Sequence, residues 1–481
     1  MTQPRADAVS GDNSSTDDFM NNPANSDKLL PGERKAAFSL AALYVLRMLG
    51  LFLILPVFAL YAEHLAGTTP LLVGLAIGSY GLTQACLQIP FGMLSDRFGR
   101  KRIIVIGLLI FALGSVLAAS ADHIGWVIMG RALQGAGAIA AAVLALAADL
   151  SREEQRTKVM AIIGISIGFS FALALVLGPV LNAWIGVPGI FWLTAVLALG
   201  GIVIVLKLVP QPSQSRLHRD TQAIPTLFNR VLRNGQLLRL DAGILILHMM
   251  LTATFVALPL VLRDELGLPA SQHWYLYLPA MVIGVVLMAP LVITAERKQR
   301  LKPFFAAAIA LLALAQAGFT LLAPLGLPFM GLLLVIFFTG FNFLEATLPS
   351  LIAKFAPADA KGTALGVYST SQFLGAFLGG IIAGSLHGSF GLYSVFAFCT
   401  LAALVWLALA LAMNNPSYLS SQLLNIGIIS EHEAQQLATR YQQVPGVAEA
   451  VVIATEGVAY LKVDRRRLDT SALHAVASTN A

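Results

Sequence analysis

The chain of 481 residues is 57% hydrophobic and only 12% charged, with a mean hydropathy of +0.78, far from the roughly 25% charge of a soluble domain. That balance excludes an ordinary soluble enzyme and points to a chain solvated mostly by lipid. Net charge +6 and an isoelectric point near 9.3 do not indicate nucleic acid, because the basic residues sit in short connections between apolar runs. Lipid phosphate is the expected neighbour.

The amino terminus to about Pro31 is rich in Asn, Ser, Asp and Pro, without the basic start and short apolar run of a secretory signal. Residues 1–34 are expected to be a disordered cytosolic tail. Twelve apolar runs of about 20 residues follow, the length an α-helix needs to cross the hydrocarbon core. Their limits are 36–61, 71–93, 103–120, 126–148, 159–185, 187–208, 241–262, 273–294, 304–323, 327–350, 364–386 and 390–412. Proline within them (Pro56, Pro90, Pro179, Pro259, Pro279, Pro290, Pro349) does not argue against helix, since neighbouring helices and water re-satisfy the freed backbone groups. Cys86 and Cys399 both fall inside apolar runs and read as small core residues, not as a disulfide or metal site.

Lys and Arg concentrate in the even-numbered connections between spans, whereas the odd-numbered ones hold only Arg263. By the positive-inside rule the basic face and both termini of this multi-pass protein are expected to be cytoplasmic. The densest basic segment is Gly92-Met93-Leu94-Ser95-Asp96-Arg97-Phe98-Gly99-Arg100-Lys101-Arg102, between spans 2 and 3. A shift of 200 residues places Glu296 on Asp96, Arg297 on Arg97, Arg300 on Arg100 and Lys302 on Arg102. The same shift relates span 1 to span 7 and span 5 to span 11, which indicates a parallel repeat of six helices. The halves are then residues 35–208 and 241–413, joined by a basic linker at 209–240.

Here the residues lead to a family. The segment from Gly92 to Arg102 resembles the signature that the major facilitator superfamily carries between spans 2 and 3, including every charged position. Arg131-Ala132-Leu133-Gln134-Gly135-Ala136-Gly137 in span 4 resembles the superfamily's Arg-x-x-Gln-Gly-x-Gly pattern. A third resemblance is to the glycine-rich pattern of its drug antiporters in span 5. Gly178 and Pro179 match that pattern and read as a hinge, while Asn182, Ala183 and Ala174 depart from it. The resemblance covers residues 36–412 and implies an all-α membrane fold of twelve helices in two halves, set in a bacterial inner membrane, with spans 1, 4, 7 and 10 lining a central cavity. It further implies that Gly92, Asp96, Arg97, Gly99, Arg100 and Asp149 form a conformational latch whose pairs bridge the halves in the outward-facing state. Gly92 permits close helix approach, Asp96 lies where an acid favours the start of span 3, and Asp149 closes span 4 within reach of Arg97 or Arg100. The alternative for these arginines is that they only set topology.

An ionisable side chain at bilayer depth costs roughly 2.5 to 3.5 kcal/mol on insertion scales, so the few present are the prime functional candidates. They are Arg47 in span 1, Arg131 in span 4, His248 in span 7 and Glu345 in span 10. From assumed ends at Asp241 and Ser350, His248 and Glu345 lie roughly 7 to 11 Å inside and can share one polar pocket. A carboxylate and an imidazole there suit proton binding and release, the alternative being a bonded pair that only ties two helices. Arg131, near the outer end of span 4, can snorkel, and the resemblance links it to proton movement, the alternative being a packing role. Arg47 can hold an anionic group, counterbalance a protonated site or cap a carbonyl. Phe341 and Asn342 belong to the expected substrate cavity, and Phe52, Phe58, Tyr80, Phe169, Phe255, Phe343 and Phe373 are further aromatics for a lipophilic pocket, the alternative being that they pack or face lipid. Glu63, His64, Arg263, Asp264 and Glu265 lie at outer mouths and need no special function.

After Asn414 the chain becomes polar and alternating. A strand at 417–428, a helix from Ser430, strands at 447–454 and 457–463, and a helix from Asp469 are predicted. This βαββα order resembles a ferredoxin-like domain of the heavy-metal-associated type, at residues 414–481, but without Cys-x-x-Cys, so no metal is expected. No phosphate-binding Gly-x-x-x-x-Gly-Lys-Ser/Thr loop occurs, and neither enzymatic activity nor a cofactor is expected. The chain reads as a monomeric, proton-coupled exporter of drug-like or lipophilic small molecules, its partners being solute, protons and the bilayer. The alternatives are uptake of a metabolite and a membrane sensor that transports nothing.

Overall fold

Glycine, proline and charge decide where the helices of this apolar chain stop. In the computed structural model, which describes residues 29–211, 222–322, 325–464 and 466–478, eleven helices are long and apolar enough to cross a membrane. One of them, Glu153–Val203, is broken at Gly186, where φ is 66° and ψ 173°, a conformation open mainly to glycine. Its two arms are spans 5 and 6, which brings the total to twelve. Span 1 is Pro31–Phe52, broken over 53–57 around Pro56 and resumed by Phe58–Ala62. Spans 2 and 3 are Pro70–Phe98 and Arg100–Ala119, and span 4 is Ile124–Ala136 continued by Ala140–Asp149. The second half comprises spans 7 (Gly235–Leu260), 8 (Trp274–Arg297), 9 (Leu301–Leu321), 10 (Leu327–Phe355), 11 (Lys361–Phe390) and 12 (Leu392–Leu411).

Several limits differ from those predicted, each for a local reason. Most of the expected tail lies outside the described residues, but 31–34 are already helical. Glu33 accepts from the Leu30 N–H and from Arg152, which ties the start of span 1 to the connection between spans 4 and 5. The basic segment after span 2 is not a loop. Helix runs through Phe98, and Gly99, at φ 96°, is the whole connection to span 3. Span 7 starts at Gly235 because Asn234 caps it, accepting from the N–H groups of Gln236 and Leu237. Cys86 is exposed, contrary to its reading as a core residue, and Cys399 is buried.

Glycine also sets how closely the halves approach. A side chain on Gly74 would meet the Gly380 carbonyl at 2.0 Å, on Gly78 the Phe377 carbonyl at 2.8 Å and on Gly81 the Phe373 carbonyl at 2.5 Å. Span 2 of the first half therefore lies backbone to backbone on span 11 of the second, as small residues allow inside membranes. This seam occupies the part of the two spans away from the basic connections. Outward-facing residues on the spans are large and apolar, among them Trp184, Leu321 and Ile165, as lipid contact requires.

The carboxy-terminal residues form a three-stranded antiparallel sheet of order β1-β3-β2, with β1 Ser420–Asn425, β2 Val447–Ile453 and β3 Val458–Val463. Helices Glu431–Gln443 and Thr470–Ser478 pack on it through Leu437, Tyr441 and Leu473. The first strand is shorter than the predicted 417–428, and the other elements fall within a residue or two of expectation. Ser430 and Glu433 close a capping box, and the Ser430 N–H and hydroxyl hold the Glu433 carboxyl below its ordinary pKa.

This domain is docked on the bundle. Lys462 is 7% exposed and donates to the carbonyls of Lys354 (3.0 Å) and Ala356, just where span 10 ends. A cation at helix-terminal carbonyls complements the helix dipole, and burial lowers the lysine's pKa. Glu449 lies 3.8 Å from Lys462 and accepts from the Ala358 N–H at 3.2 Å, and Tyr418 accepts from the Leu301 N–H at 3.0 Å. Lys462→Met keeps the apolar stem but removes the donors. Amide hydrogen exchange at 354–360 and along β1 is expected to quicken by on the order of tenfold, the weight of one charge-assisted hydrogen bond, with helix exchange in span 4 unchanged.

Candidate transport site

The Arg-x-x-Gln-Gly-x-Gly segment is built to press span 4 onto its neighbours. A side chain on Gly135 would strike the Tyr80 carbonyl at 2.1 Å, and one on Gly137 the Gly107 carbonyl at 2.3 Å. The helix breaks over 137–139, a break the sequence reading did not anticipate, and the Gly137 carbonyl accepts from the Ile139 N–H at 2.9 Å and from Arg47 at 3.0 Å. Arg47 also donates to Gln84 Oε1 at 2.9 Å, and Gln84 passes the chain on to Gln88 at 3.1 Å. Only 1% exposed, Arg47 has no carboxylate partner among the described residues, and its Nε and Nη1 are unsatisfied there. Capping a carbonyl, one of the roles anticipated for it, is what its contacts show.

Arg131 does not snorkel. It is 3% exposed and turned inward, donating to Gln134 Oε1 at 2.7 Å and to the Ala76 carbonyl at 3.4 Å, with its guanidinium 5.1 Å from the Tyr80 ring centre. The reason is the close approach of spans 2 and 4, which puts carbonyls and a ring face nearer than the headgroups. Gln134 is itself held by Ser115 at 2.7 Å.

In the second half, His248 and Glu345 come together as expected, with 3.9 Å between His248 Nε2 and Glu345 Oε2. Between them stands a residue the sequence reading missed. Gln372 of span 11 donates its amide to His248 Nε2 at 2.8 Å and to Glu345 Oε1 at 3.2 Å. The pair also lies further from the helix ends than expected, because the helices extend beyond the apolar windows. At 1.5 Å per residue, His248 lies about 20 Å along the axis from Gly235, and Glu345 about 15 Å from Phe355. Asp241, taken as the end of span 7, is instead 5% exposed inside it, with both carboxyl oxygens unpaired among the described residues. Phe341 packs on the His248 ring, centroids 6.1 Å apart, and on Phe171 of span 5 at 5.8 Å. Phe171 in turn meets Phe52 at 5.1 Å and Phe338 at 6.5 Å, so aromatic rings join the two halves at mid-depth. Asn342 turns away to the Met281 sulfur at 3.5 Å, and Phe169 is largely exposed.

On the basic face, Arg100 is 4% exposed and donates to Asp149 at 3.1 Å, to Ser95 at 2.9 Å and to Asp96. Asp149 thus pairs with Arg100; Arg97 stays exposed against the Phe98 ring. Gly92 lies where a side chain would meet Ala141 Cβ at 3.1 Å. These contacts are all within the first half. The second copy has reversed polarity: Glu296 accepts from Lys354 of span 10 at 2.8 Å. The bridge between halves lies on the opposite face, where Arg263, expected to have no special part, donates to Glu63 at 2.6 and 3.0 Å. Gly178 and Pro179 sit at the break of span 1, a side chain on Gly178 meeting the Leu53 carbonyl at 2.5 Å.

With that face closed, a cavity of about 1290 Å³ opens between the basic ends of the halves, reaching Gln88, Asp96, Ala145, Ser350 and Ser369, and its floor is β1 of the carboxy-terminal domain. Two six-helix halves, joined at one end and parted at the other by this cavity, have the architecture of a membrane transporter. The profile of the Major Facilitator Superfamily matches residues 40–380, and the chain belongs to that family; it is a multi-pass membrane protein. It is 46% identical over 445 residues to the inner membrane transport protein YajR of Escherichia coli K12, covering 92% of this chain and 97% of that protein. It is 26% identical over 341 residues to the multidrug resistance protein MdtH of Yersinia enterocolitica, covering 70% of this chain and 82% of that one. Among solved structures, a bacterial homolog of the human lysosomal transporter Spinster, in an inward-facing and occupied conformation, superposes with a TM-score of 0.67 at 13% identity. That match covers 80% of this chain and 97% of the other.

Asp149→Asn removes one of the two carboxylate partners of the buried Arg100 and leaves Asp96, so a loss of about 1 to 3 kcal/mol is expected. Arg97→Gln is expected to stay within about 0.5 kcal/mol. Thermal unfolding of the purified variants in one detergent checks both.

Proposed function

We propose that this protein is a proton-coupled exporter of lipophilic or drug-like solutes, working by alternating access in a bacterial inner membrane with its basic face in the cytoplasm. The observation that carries the reading is the Glu345 and His248 pair. Two groups that change charge stand 3.9 Å apart on spans 7 and 10, in a bundle that holds few ionisable side chains. Such a pair earns its place by taking up and releasing a proton as its surroundings alternate between the two sides of the membrane. Arg131, buried against carbonyls, supplies fixed positive charge in the first half, and its role here is electrostatic support of the proton cycle.

The latch assignment follows from the two faces. With the halves parted at the basic face, Asp96, Arg100 and Asp149 hold spans 2, 3 and 4 together and keep Asp96 at the cavity wall. Closing that face brings Asp96 and Arg97 towards span 11, while the Glu63 and Arg263 bridge on the far face opens. Gly92 and Gly99 let spans 2 and 3 move as one piece, and Gly178-Pro179 lets span 5 bend against the break in span 1. Substrate contacts fall to Phe341, with Asn342 at the margin, and aromatic rings at mid-depth favour lipophilic solutes. The likeness to MdtH, a protein named for multidrug resistance, supports export. The protein works as a monomer, because each half finds its counterpart within one chain.

Arg47 supports a second reading, uptake of an anionic metabolite, through the two guanidinium nitrogens left unsatisfied at a buried position. Right-side-out and inverted vesicles given an imposed pH gradient separate the two. Solute flux against the proton flow establishes export, flux with it establishes uptake, and no flux across a broad solute panel speaks for a sensor. Glu345→Gln is expected to abolish gradient-driven flux while leaving downhill exchange intact. Unchanged gradient-driven flux in that variant would end the proton assignment.

A further inference from the structure

The amide of Gln372 meets both members of the pair with the same nitrogen, and this constrains their protons. An amide nitrogen can only donate. At 2.8 Å from His248 Nε2 it therefore requires that nitrogen to be an unprotonated acceptor, so a neutral His248 carries its proton on Nδ1. At 3.2 Å from Glu345 Oε1 the same group donates to the carboxyl. The other titratable groups near the pair are Asp241 on span 7 and Tyr368 on span 11, whose hydroxyl lies in the field of both Glu345 and Asp241. The ring of Phe341 covers His248 from span 10.

A proton arriving at Nε2 changes this arrangement. The nitrogen's lone pair becomes an N–H bond, the acceptor becomes a donor, and the facing amide N–H must give way. The amide then either turns its carbonyl oxygen to His248 or withdraws, and the carboxylate of Glu345, 3.9 Å away, becomes the partner of the imidazolium. The residue that must move is on span 11, directly before Phe373. The Phe373 carbonyl is the one that would lie 2.5 Å from a side chain at Gly81, and the Phe373 ring packs on Tyr80 at 6.3 Å. Span 11 is thus both the helix that meets the proton pair and the helix that forms the seam with the first half.

We propose that Gln372 is a positioning residue that holds neutral His248 in its Nδ1–H tautomer and passes the protonation state of the His248 and Glu345 pair to the seam between spans 11 and 2. For its use in transport the inference rests on the proton-coupled reading above, but its geometry is tested without any solute.

Nitrogen-15 spectra of the full-length protein in lipid, labelled at histidine, report which ring nitrogen carries the proton. The His248 signal is identified by its loss in His248→Gln. At alkaline pH the wild-type signal is expected to be the Nδ1–H tautomer, by about tenfold or more, the weight of one good hydrogen bond. Gln372→Glu, which keeps shape but removes the donor, is expected to switch it to Nε2–H, and Gln372→Leu to give a mixture. A wild-type His248 already in the Nε2–H form, or a tautomer unmoved by Gln372→Glu, overturns the proposal; where a variant fails to fold, the wild-type spectrum alone decides. Failure of the proton reading is a separate result, unchanged gradient-driven flux in Glu345→Gln, and leaves the tautomer measurement standing.

Discussion

Inside an apolar bundle an ionisable side chain is costly to bury unless partners within the protein satisfy it. This constraint shapes the interior more than any single packing contact. Span 4 breaks at Gly137, whose carbonyl accepts from Arg47 as well as from the Ile139 N–H. Arg131 is satisfied by Gln134 and by carbonyls of span 2, and Glu345 and His248 are joined through Gln372. In each case the charged residue is completed by a neighbouring side chain, by carbonyls of span 2 or by a backbone break.

The two halves are alike in plan and opposite in electrical detail. In the first, an arginine after span 2 reaches an acid at the end of span 4; in the second, an acid at the end of span 8 reaches a lysine near the end of span 10. Each half is tied within itself at the basic face, and the halves meet at mid-depth, through Phe171 with Phe338 and Phe341, and at the opposite face. There the glycine seam of spans 2 and 11 and the Glu63 and Arg263 bridge hold them together. A structure closed on one side by backbone contact and open on the other around a cavity is the geometry a rocking motion of two rigid halves requires.

The carboxy-terminal domain adds a constraint of its own. Its lysine clamp reaches the end of span 10, and Tyr418 reaches the start of span 9, so these contacts make it a rider on the second half. Its first strand nevertheless floors the cavity between the halves. Any movement of the second half therefore carries the floor with it, which makes the domain part of the passage to the basic face.

Most of the architecture was legible in the sequence because it depends on local rules. Twelve apolar windows, the charge asymmetry between connections and the shift of 200 residues all follow from what a bilayer admits and from duplication. The βαββα order followed equally from alternation and capping at Ser430. The candidate pair of His248 and Glu345 was visible because charge at depth is rare, and so was the partnership of Arg100 with Asp149 as one of two options. The remainder needed the tertiary structure. Gln372 is an uncharged residue on a helix with no periodic signal, and only its proximity to both partners gives it meaning. Asp241 looked like a helix end because hydropathy, not capping by Asn234, set the boundary. The inward turn of Arg131 and the bridge from Arg263 to Glu63 depend on how closely two helices, or two halves, approach. One sequence states which groups must be satisfied; which partners satisfy them is decided by packing between segments far apart in the chain.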